Sequence, residues 1–342
     1  MNRALRELVY AHDEIADLDP VERRVALRAI VAEAGVEDLA AAVDAIANDI
    51  DGFGPLTALL ADEHVTDVLV NGPDHVQVER AGRLEQADVS FLDRDDLCSW
   101  CERMVSAHGG RVDTSHPIAD VILHDGSRLH VVLPPIAPNG PLVSIRRPAR
   151  TPYSIDELVA LGLMDQPTAR RLTDHVHSGA SLVVSGATGS GKTTLLDALL
   201  QEVPPTERVV SVEELAELRA GHNRVSLVAR QANCEGRGWV PLDELVRAAL
   251  RMRPDRIVVG EVRGAEALPA LWAMSTGHRG SMLTVHARSA RDARRRLVDL
   301  ALASNHAPAE ETLAAQVAEA VDVSVHLERR DGRRSVTEVL ER

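Results

Sequence analysis

Between two apolar stretches the chain reads Gly186-Ala-Thr-Gly-Ser-Gly-Lys-Thr193, which fits the pattern G-x-x-x-x-G-K-[ST]. Three glycines so close together suit neither a helix interior nor a strand interior. The flanks supply what the pattern requires: "SLVVS" before it predicts a buried strand, and "KTTLLDALL" after it predicts a helix. A strand, a glycine-rich turn and a helix in succession commit this half of the chain to an α/β layer.

The same stretch constrains chemistry. A glycine-rich curl lets successive backbone N–H groups face one anion, and the following helix adds the positive end of its dipole. Gly186, Ala187, Thr188, Gly189, Ser190, Gly191, Lys192, Thr193 and Thr194 are therefore candidate nucleotide-binding residues. Lys192 is suited to the β- and γ-phosphates of ATP and the Thr193 hydroxyl to Mg²⁺. Lys192 is also the only lysine among 342 residues. Arginine meets every other need for positive charge; here a slim ammonium has to fit among N–H groups around a phosphate.

The flanking grammar divides the chain. Residues 1–50 show apolar spacing of three and four, as in "PVERRVALRAIVAEAG", and predict a helical amino-terminal segment. Residues 51–145 predict a small α+β domain: strands "VTDVLVNG" and "DHVQVERAG", a helix over 93–110, a hairpin "ADVILHDGSRLHVVLPP" turning at Asp125-Gly126, and a strand "GPLVSIRRP". The Pro- and Arg-rich stretch 146–154 predicts a linker. Residues 155–342 predict an α/β domain with a largely parallel sheet, because "SLVVSG", "RVVSVEE", "RIVVGE" and "SMLTVHA" alternate with helical segments. A hairpin turning at Asp331-Gly332 closes it.

Composition excludes several functions. A formal net charge of −14 argues against general nucleic-acid binding, which needs a basic face. No apolar run of about 20 residues predicts a membrane span, and the charged start "MNRALRELVYAHDEIADLD" is not a signal peptide. Cysteine usage fits a reducing cytosol. Cys98-Ser-Trp-Cys101 is a C-x-x-C inside a predicted helix, and Cys234 is far along the chain, so two buried helical cysteines are expected rather than a redox or zinc site.

Open parallel sheets bind ligands beyond the carboxyl ends of their strands. Glu213 and Glu214 follow "RVVSV", Glu261 follows "RIVVG", and His286 follows "SMLTV". Glu261 is the candidate general base for an attacking water. Glu213 and Glu214 are candidates for holding Mg²⁺ through water or sharing the base role, and His286 for reporting the γ-phosphate.

"SGATGSGKTTLL", "SVEELAEL", "RMRPDRIVVGEVRG" and "STGHRGSMLTVHA" resemble the Walker A, acidic, Walker B and histidine boxes of the secretion and type IV pilus ATPase superfamily. "VNGPDHVQVER", "DGSRLHVVLPP", "SIRRP" and "EGRG" are similar to its CpaF-like branch, which serves Tad/Flp pili. The resemblance covers about residues 50–330. It implies a RecA-like P-loop ATPase domain, a ring that is typically a hexamer, inner-membrane platform proteins as partners, and a cytoplasmic location at that membrane complex. It also implies amino-terminal arginines that reach the phosphates; Arg111, Arg128 and Arg146 stand at the matching positions. MgATP would then lie between the two domains, which would swing about 146–154 on hydrolysis. Arg247, Arg251 and Arg253 are candidates for a subunit interface or a solvated face. The acidic box departs from the commoner Glu-Asp, and Gln231-Ala-Asn233 replaces a more proline-rich stretch. The functions weighed are a ring motor for pilus assembly or secretion, its DNA-transfer variant, a P-loop small-substrate kinase, and a nucleotide-binding scaffold with little turnover.

Overall fold

The structure is a computed structural model that describes residues 9, 12, 15, 18–36, 38–80, 82–147, 152–230 and 237–342. Parts of the expected amino-terminal helices and of the 146–154 linker, together with Gln231, Asn233, Cys234 and the start of "EGRG", lie outside the described residues. The chain divides into two units, Met1–Pro148 and Ala149–Arg342.

In the first unit, α1 (Pro20–Glu33) starts where the Asp19 carboxylate accepts the N–H groups of Val21 and Glu22, with proline in the first turn. It packs on α2 (Leu39–Asp51) through Leu27, Val31, Val43 and Ile46. A short helix, α3 (Thr57–Ala61), leads into β1 (Val65–Asn71), β2 (Val76–Arg80) and β3 (Arg83–Gln86). Helix α4 (Arg94–Ala107) precedes β4 (Ile118–Ile122), β5 (Arg128–Val132) and β6 (Leu142–Arg146). The six strands form one antiparallel sheet in the order β3-β2-β1-β6-β5-β4. Burial alternates along β4 and β6, so one sheet face is solvated and the other is covered. The cover is α4, through Leu97, Trp100, Cys101, Met104 and Val105. Aromatics are only 2% of the chain, yet two meet here: Trp100 and Phe91 stack edge-on at 5.7 Å, and the indole N–H donates to the Phe53 carbonyl. Cys101 is buried and Cys98 half-buried, and burial pushes both thiols up. The second cysteine of the expected buried pair therefore sits part-way out, on the flank of α4.

The second unit runs α5 (Ile155–Ala160), α6 (Gln166–His177), β7 (Leu182–Gly186), α7 (Lys192–Gln201), β8 (Val209–Glu213), β9 (Arg224–Val228) and α8 (Leu242–Ala249). It continues through β10 (Arg256–Val262), α9 (Ala267–Ser275), β11 (Met282–Val285), α10 (Ala290–Leu302), α11 (Glu310–Ala320), β12 (Val323–Arg330) and β13 (Arg333–Glu341). The sheet order is β13-β12-β7-β11-β10-β8-β9, parallel throughout except for the β12–β13 hairpin. Every residue of β7, β8 and β11 is buried, as expected of parallel strands covered on both faces. One core holds Val183, Val259, Leu271 and Leu297; the other holds Leu172, Val184, Leu196 and Val325. The fold is an α/β, RecA-like P-loop domain preceded by an α+β unit and amino-terminal helices. Among the described residues no helix is long and apolar enough to cross a membrane.

Candidate active site

The phosphate loop leaves β7 at Gly186 and re-enters regular structure at Lys192, the first residue of α7. Gly186 has φ +152°, and a Cβ there would stand 2.4 Å from the Leu327 carbonyl oxygen and 2.5 Å from Ser190 Oγ. The strand can hand over to the loop only because no side chain intervenes. Gly186→Ala should therefore cost about 2 kcal/mol or more of stability and disorder the loop. A lowered melting temperature together with lost nucleotide binding would report it; an unchanged melt would contradict the crowding.

Gly191 caps α7 in the left-handed conformation, φ +98°, and among the described residues no side chain caps that helix. First-turn N–H groups have no acceptor within their own helix, and those of α7 begin at the end of the glycine-rich loop. Ser190 Oγ is buried and has no hydrogen-bond partner among the described residues. An uncapped ten-residue helix, an orphaned hydroxyl and the chain's only ammonium converge on one loop, which fits a polyphosphate.

Lys192 is 7% exposed. Its Nζ donates to the Ala187 carbonyl at 3.1 Å, closing the loop, and lies 3.3 Å from His286 Nε2. His286 follows β11, which is held to β10 by the Thr284 hydroxyl donating to the Gly260 carbonyl at 2.6 Å. His286 Nε2 also contacts Glu261 Oε1. A single nitrogen cannot serve both neighbours in one tautomer: unprotonated, it accepts from Lys192; protonated, it donates to Glu261. Burial, then the Lys192 charge, push His286 below its ordinary value of 6.5, against the opposing pull of Glu261. Arg263 extends the chain of contacts. Its guanidinium donates to Glu261 Oε2 through Nη2 at 2.6 Å and Nε at 2.9 Å, and to Glu214 Oε2 through Nη1 at 3.0 Å.

Lys192, His286, Glu261, Arg263 and Glu214 thus form one connected group at the carboxyl ends of four adjacent strands. Residues 49–340 match the family described as "Type II/IV secretion system protein". The protein belongs to the type II/IV secretion system protein family. A Mycobacterium tuberculosis protein named for conjugal transfer is 41% identical to this member over 315 residues, covering 89% of this chain and 88% of its own. The type IV secretion system protein PtlH of Bordetella pertussis is 33% identical over 311 residues, covering 82% and 91%. The solved structure of the Legionella pneumophila ATPase DotB shares the fold of this type II/IV secretion protein, with a TM-score of 0.56, 20% identity, and coverage of 83% of this chain and 78% of that one.

In this type II/IV secretion protein the two neighbouring acidic-box residues part company. Glu214 joins the group through Arg263. Glu213 is 2% exposed, and its Oε1 accepts the N–H groups of Glu217 at 2.9 Å and Leu218 at 2.8 Å. Burial raises Glu213, and those two N–H groups oppose the rise. Asp197 grips the N–H groups of Arg219 and Ala220 in the same way, so two buried carboxylates pin the 217–220 segment from either side. Arg224 completes the clamp, donating to Ser211 Oγ and the Leu218 carbonyl. Consecutive residues leave a strand on opposite faces, which is why one glutamate anchors a loop and its neighbour meets Arg263.

Among the other sequence candidates, Thr193 and Thr194 are half-buried in the first turn of α7. In the first unit, Arg128 and Arg146 are direct partners across β5 and β6, so the two share the solvated face of that sheet. Arg128 donates to Asp120 at 3.0 Å, which His130 also contacts. Arg111 is instead tied to Asp113 at 2.6 Å; this bond and the N–H of His116 hold the Asp113 carboxyl at about 2. Arg247 pairs with Asp243 one turn back on α8.

Arg263 was not among the sequence candidates, although a signal existed. It follows Glu261 by two positions, and along an extended backbone residues i and i+2 face the same side. Its charge is one of the influences that hold His286 down. Arg263→Gln should therefore move the His286 titration to higher pH and lower turnover about tenfold or more. An NMR titration of the His286 ring alongside an ATPase assay would check both, and an unmoved titration would contradict the coupling.

Proposed function

We propose that this secretion-family protein is an ATPase whose hydrolysis powers a ring-shaped motor for pilus assembly or secretion at the bacterial inner membrane. The observation that carries this reading is the connected group Lys192–His286–Glu261–Arg263–Glu214 beside an uncapped phosphate loop. A scaffold needs the loop alone; a base with its own positioning shell serves turnover.

In this reading the loop N–H groups and Lys192 hold the β- and γ-phosphates. Glu261 takes the proton of the attacking water. Arg263 fixes the orientation of that carboxylate, and His286 relays contact between it and Lys192. Thr193, with Glu214 or Glu213, would hold Mg²⁺, which supplies charge neutralisation to the phosphates. Glu214 is the favoured carboxylate, because Glu213 is occupied by backbone N–H groups. Arg128 and Arg146, adjacent on one face, are the arginines proposed to reach the phosphates. Arg111, which lies outside those two strands, is the lesser candidate.

The CpaF-like, Tad-pilus branch is the finer assignment, resting on "VNGPDHVQVER", "DGSRLHVVLPP" and "SIRRP". Membrane-platform proteins are its expected partners, with the motor at the cytoplasmic side. A second reading, a DNA-transfer motor on the same chassis, is favoured by the 41% identical relative named for conjugal transfer. The net charge of −14 weighs against direct contact with DNA, though not against work through a partner.

Mass photometry with and without a non-hydrolysable ATP analogue, paired with phosphate release from MgATP, tests the motor reading. A six-membered ring and measurable turnover are expected. A particle that stays monomeric at micromolar concentration with the analogue would overturn the ring, and nucleotide binding without phosphate release would favour the scaffold.

A further inference from the structure

The β12–β13 hairpin is unusually basic for so acidic a chain: Arg329, Arg330, Arg333 and Arg334 flank its Asp331-Gly332 turn. Its position follows from register. β12 pairs in parallel with β7, with Leu327 opposite Gly186. Residues beyond Leu327 therefore run past the end of β7, alongside the phosphate loop. Ser185 Oγ fixes this alignment by donating to the Val325 carbonyl at 3.1 Å. Arg329 and Arg334 face each other across the hairpin. Arg329 Nη1 lies 3.6 Å from where a Gly189 Cβ would stand, and Arg334 Cδ lies 3.6 Å from where a Gly191 Cβ would stand. Both glycines are bare, so these two arginine side chains form the next layer outside the loop. Arg330, next along β12, is paired with Glu328 at 2.6 Å.

A nucleoside triphosphate seated in this loop has a direction. β7 lies between β11 and β12. His286 and Glu261, the groups placed for the terminal phosphate, stand on the β11–β10 side. The nucleoside end of the ligand must then leave toward the other neighbour, β12. Resting on the ATPase reading above, we propose that Arg329 and Arg334 hold the nucleoside end of the nucleotide, with guanidinium planes against the base. Guanidinium stacks on aromatic faces and is weakly hydrated, which suits an exposed hairpin gripping a flat heterocycle. It also carries only donors. Stacking reads the face of a base rather than its edge, so this grip is indifferent to whether the base is adenine or guanine.

The test compares Arg334→Ala and the double variant Arg329→Ala/Arg334→Ala with the unaltered protein. Fluorescent ATP is titrated directly, and GTP, ADP and inorganic tripolyphosphate are used as competitors. The double variant should weaken ATP, ADP and GTP by about tenfold each, with a smaller step in the single variant, while tripolyphosphate, which has no nucleoside, changes less than about twofold. Equal weakening of tripolyphosphate and ATP would overturn the proposal, since the arginines would then serve only the phosphates. Unchanged ATP affinity would overturn it as well. Lys192→Ala separates the two readings: it should lose tripolyphosphate and ATP together. If Lys192→Ala keeps both ligands, the phosphate-loop reading itself fails; if it loses both while the double variant keeps ATP, only the hairpin proposal fails.

Discussion

Replacing Lys192 by alanine should reduce affinity for MgATP by roughly 100-fold or more, and replacing it by arginine should be damaging despite the retained charge. Each charge-assisted hydrogen bond to a phosphate is worth about 1.5–3 kcal/mol, and an ammonium offers up to three. The structure shows why arginine is no substitute. Lys192 Nζ is threaded between the Ala187 carbonyl and His286 Nε2, in a space that leaves the side chain 7% exposed. A guanidinium is planar and wider, and would displace either the loop carbonyl or the imidazole. Removing the ammonium also strips His286 of one of the two charges that depress its titration most directly, after burial. Calorimetric titration of MgATP into both variants checks the affinity. Near-normal binding and turnover by Lys192→Arg would mean that charge alone is required at this position.

Glu261→Gln should bind MgATP nearly as the parent does and lose turnover by about 10²–10⁴-fold. The amide keeps the size and most of the contacts of the carboxylate, so the loop and β10 should stay in place. What it loses is the capacity to take a proton, together with the ion pair to Arg263 at 2.6 Å. Single-turnover phosphate release separates this loss from any change in binding. Undiminished hydrolysis would remove Glu261 from the role of base and turn attention to Glu214, the other carboxylate on the same guanidinium. A parallel Glu213→Gln variant should behave differently. It weakens the clamp on the 217–220 segment, so its main effect belongs in stability rather than in the chemical step.

Local chemistry made part of this legible. The phosphate loop was readable because its residue types are dictated by backbone geometry: Gly189 and Gly191 take φ +72° and +98°, which side-chain-bearing residues rarely adopt. The central strands β7, β8, β10 and β11 were readable because burial on both faces leaves unbroken apolar runs. Strand β9 was not, since it lies at a sheet edge with none of its five residues buried, and its sequence "RVSLV" is short and charged at its start. Strand β3 was invisible because all four of its residues are exposed. The site shows the same division. Strand ends announced Glu214, Glu261 and His286, but which way a side chain turns on leaving a strand depends on neighbours far along the chain. Glu213 was claimed by the N–H groups of the loop after it, and Arg263 was found only through the carboxylates it joins. The partnership of Arg128 with Arg146 depends on the register of two strands, which no local pattern specifies.

The alignment of β12 on β7 has a consequence for how the molecule is made. Ser185 and Val325 are bonded across a separation of 140 residues. At about 10 residues per second, a ribosome would need ~14 s to deliver the second after the first. Throughout that interval β7 has an open flank, and the loop that ends at Lys192 lacks the Leu327 carbonyl against which Gly186 is seated. The strand that covers this flank of the sheet, and the Leu327 carbonyl beside Gly186, are therefore among the last parts of this unit to be made. Until then β7 presents an unpaired strand edge, the feature through which sheets most readily mispair.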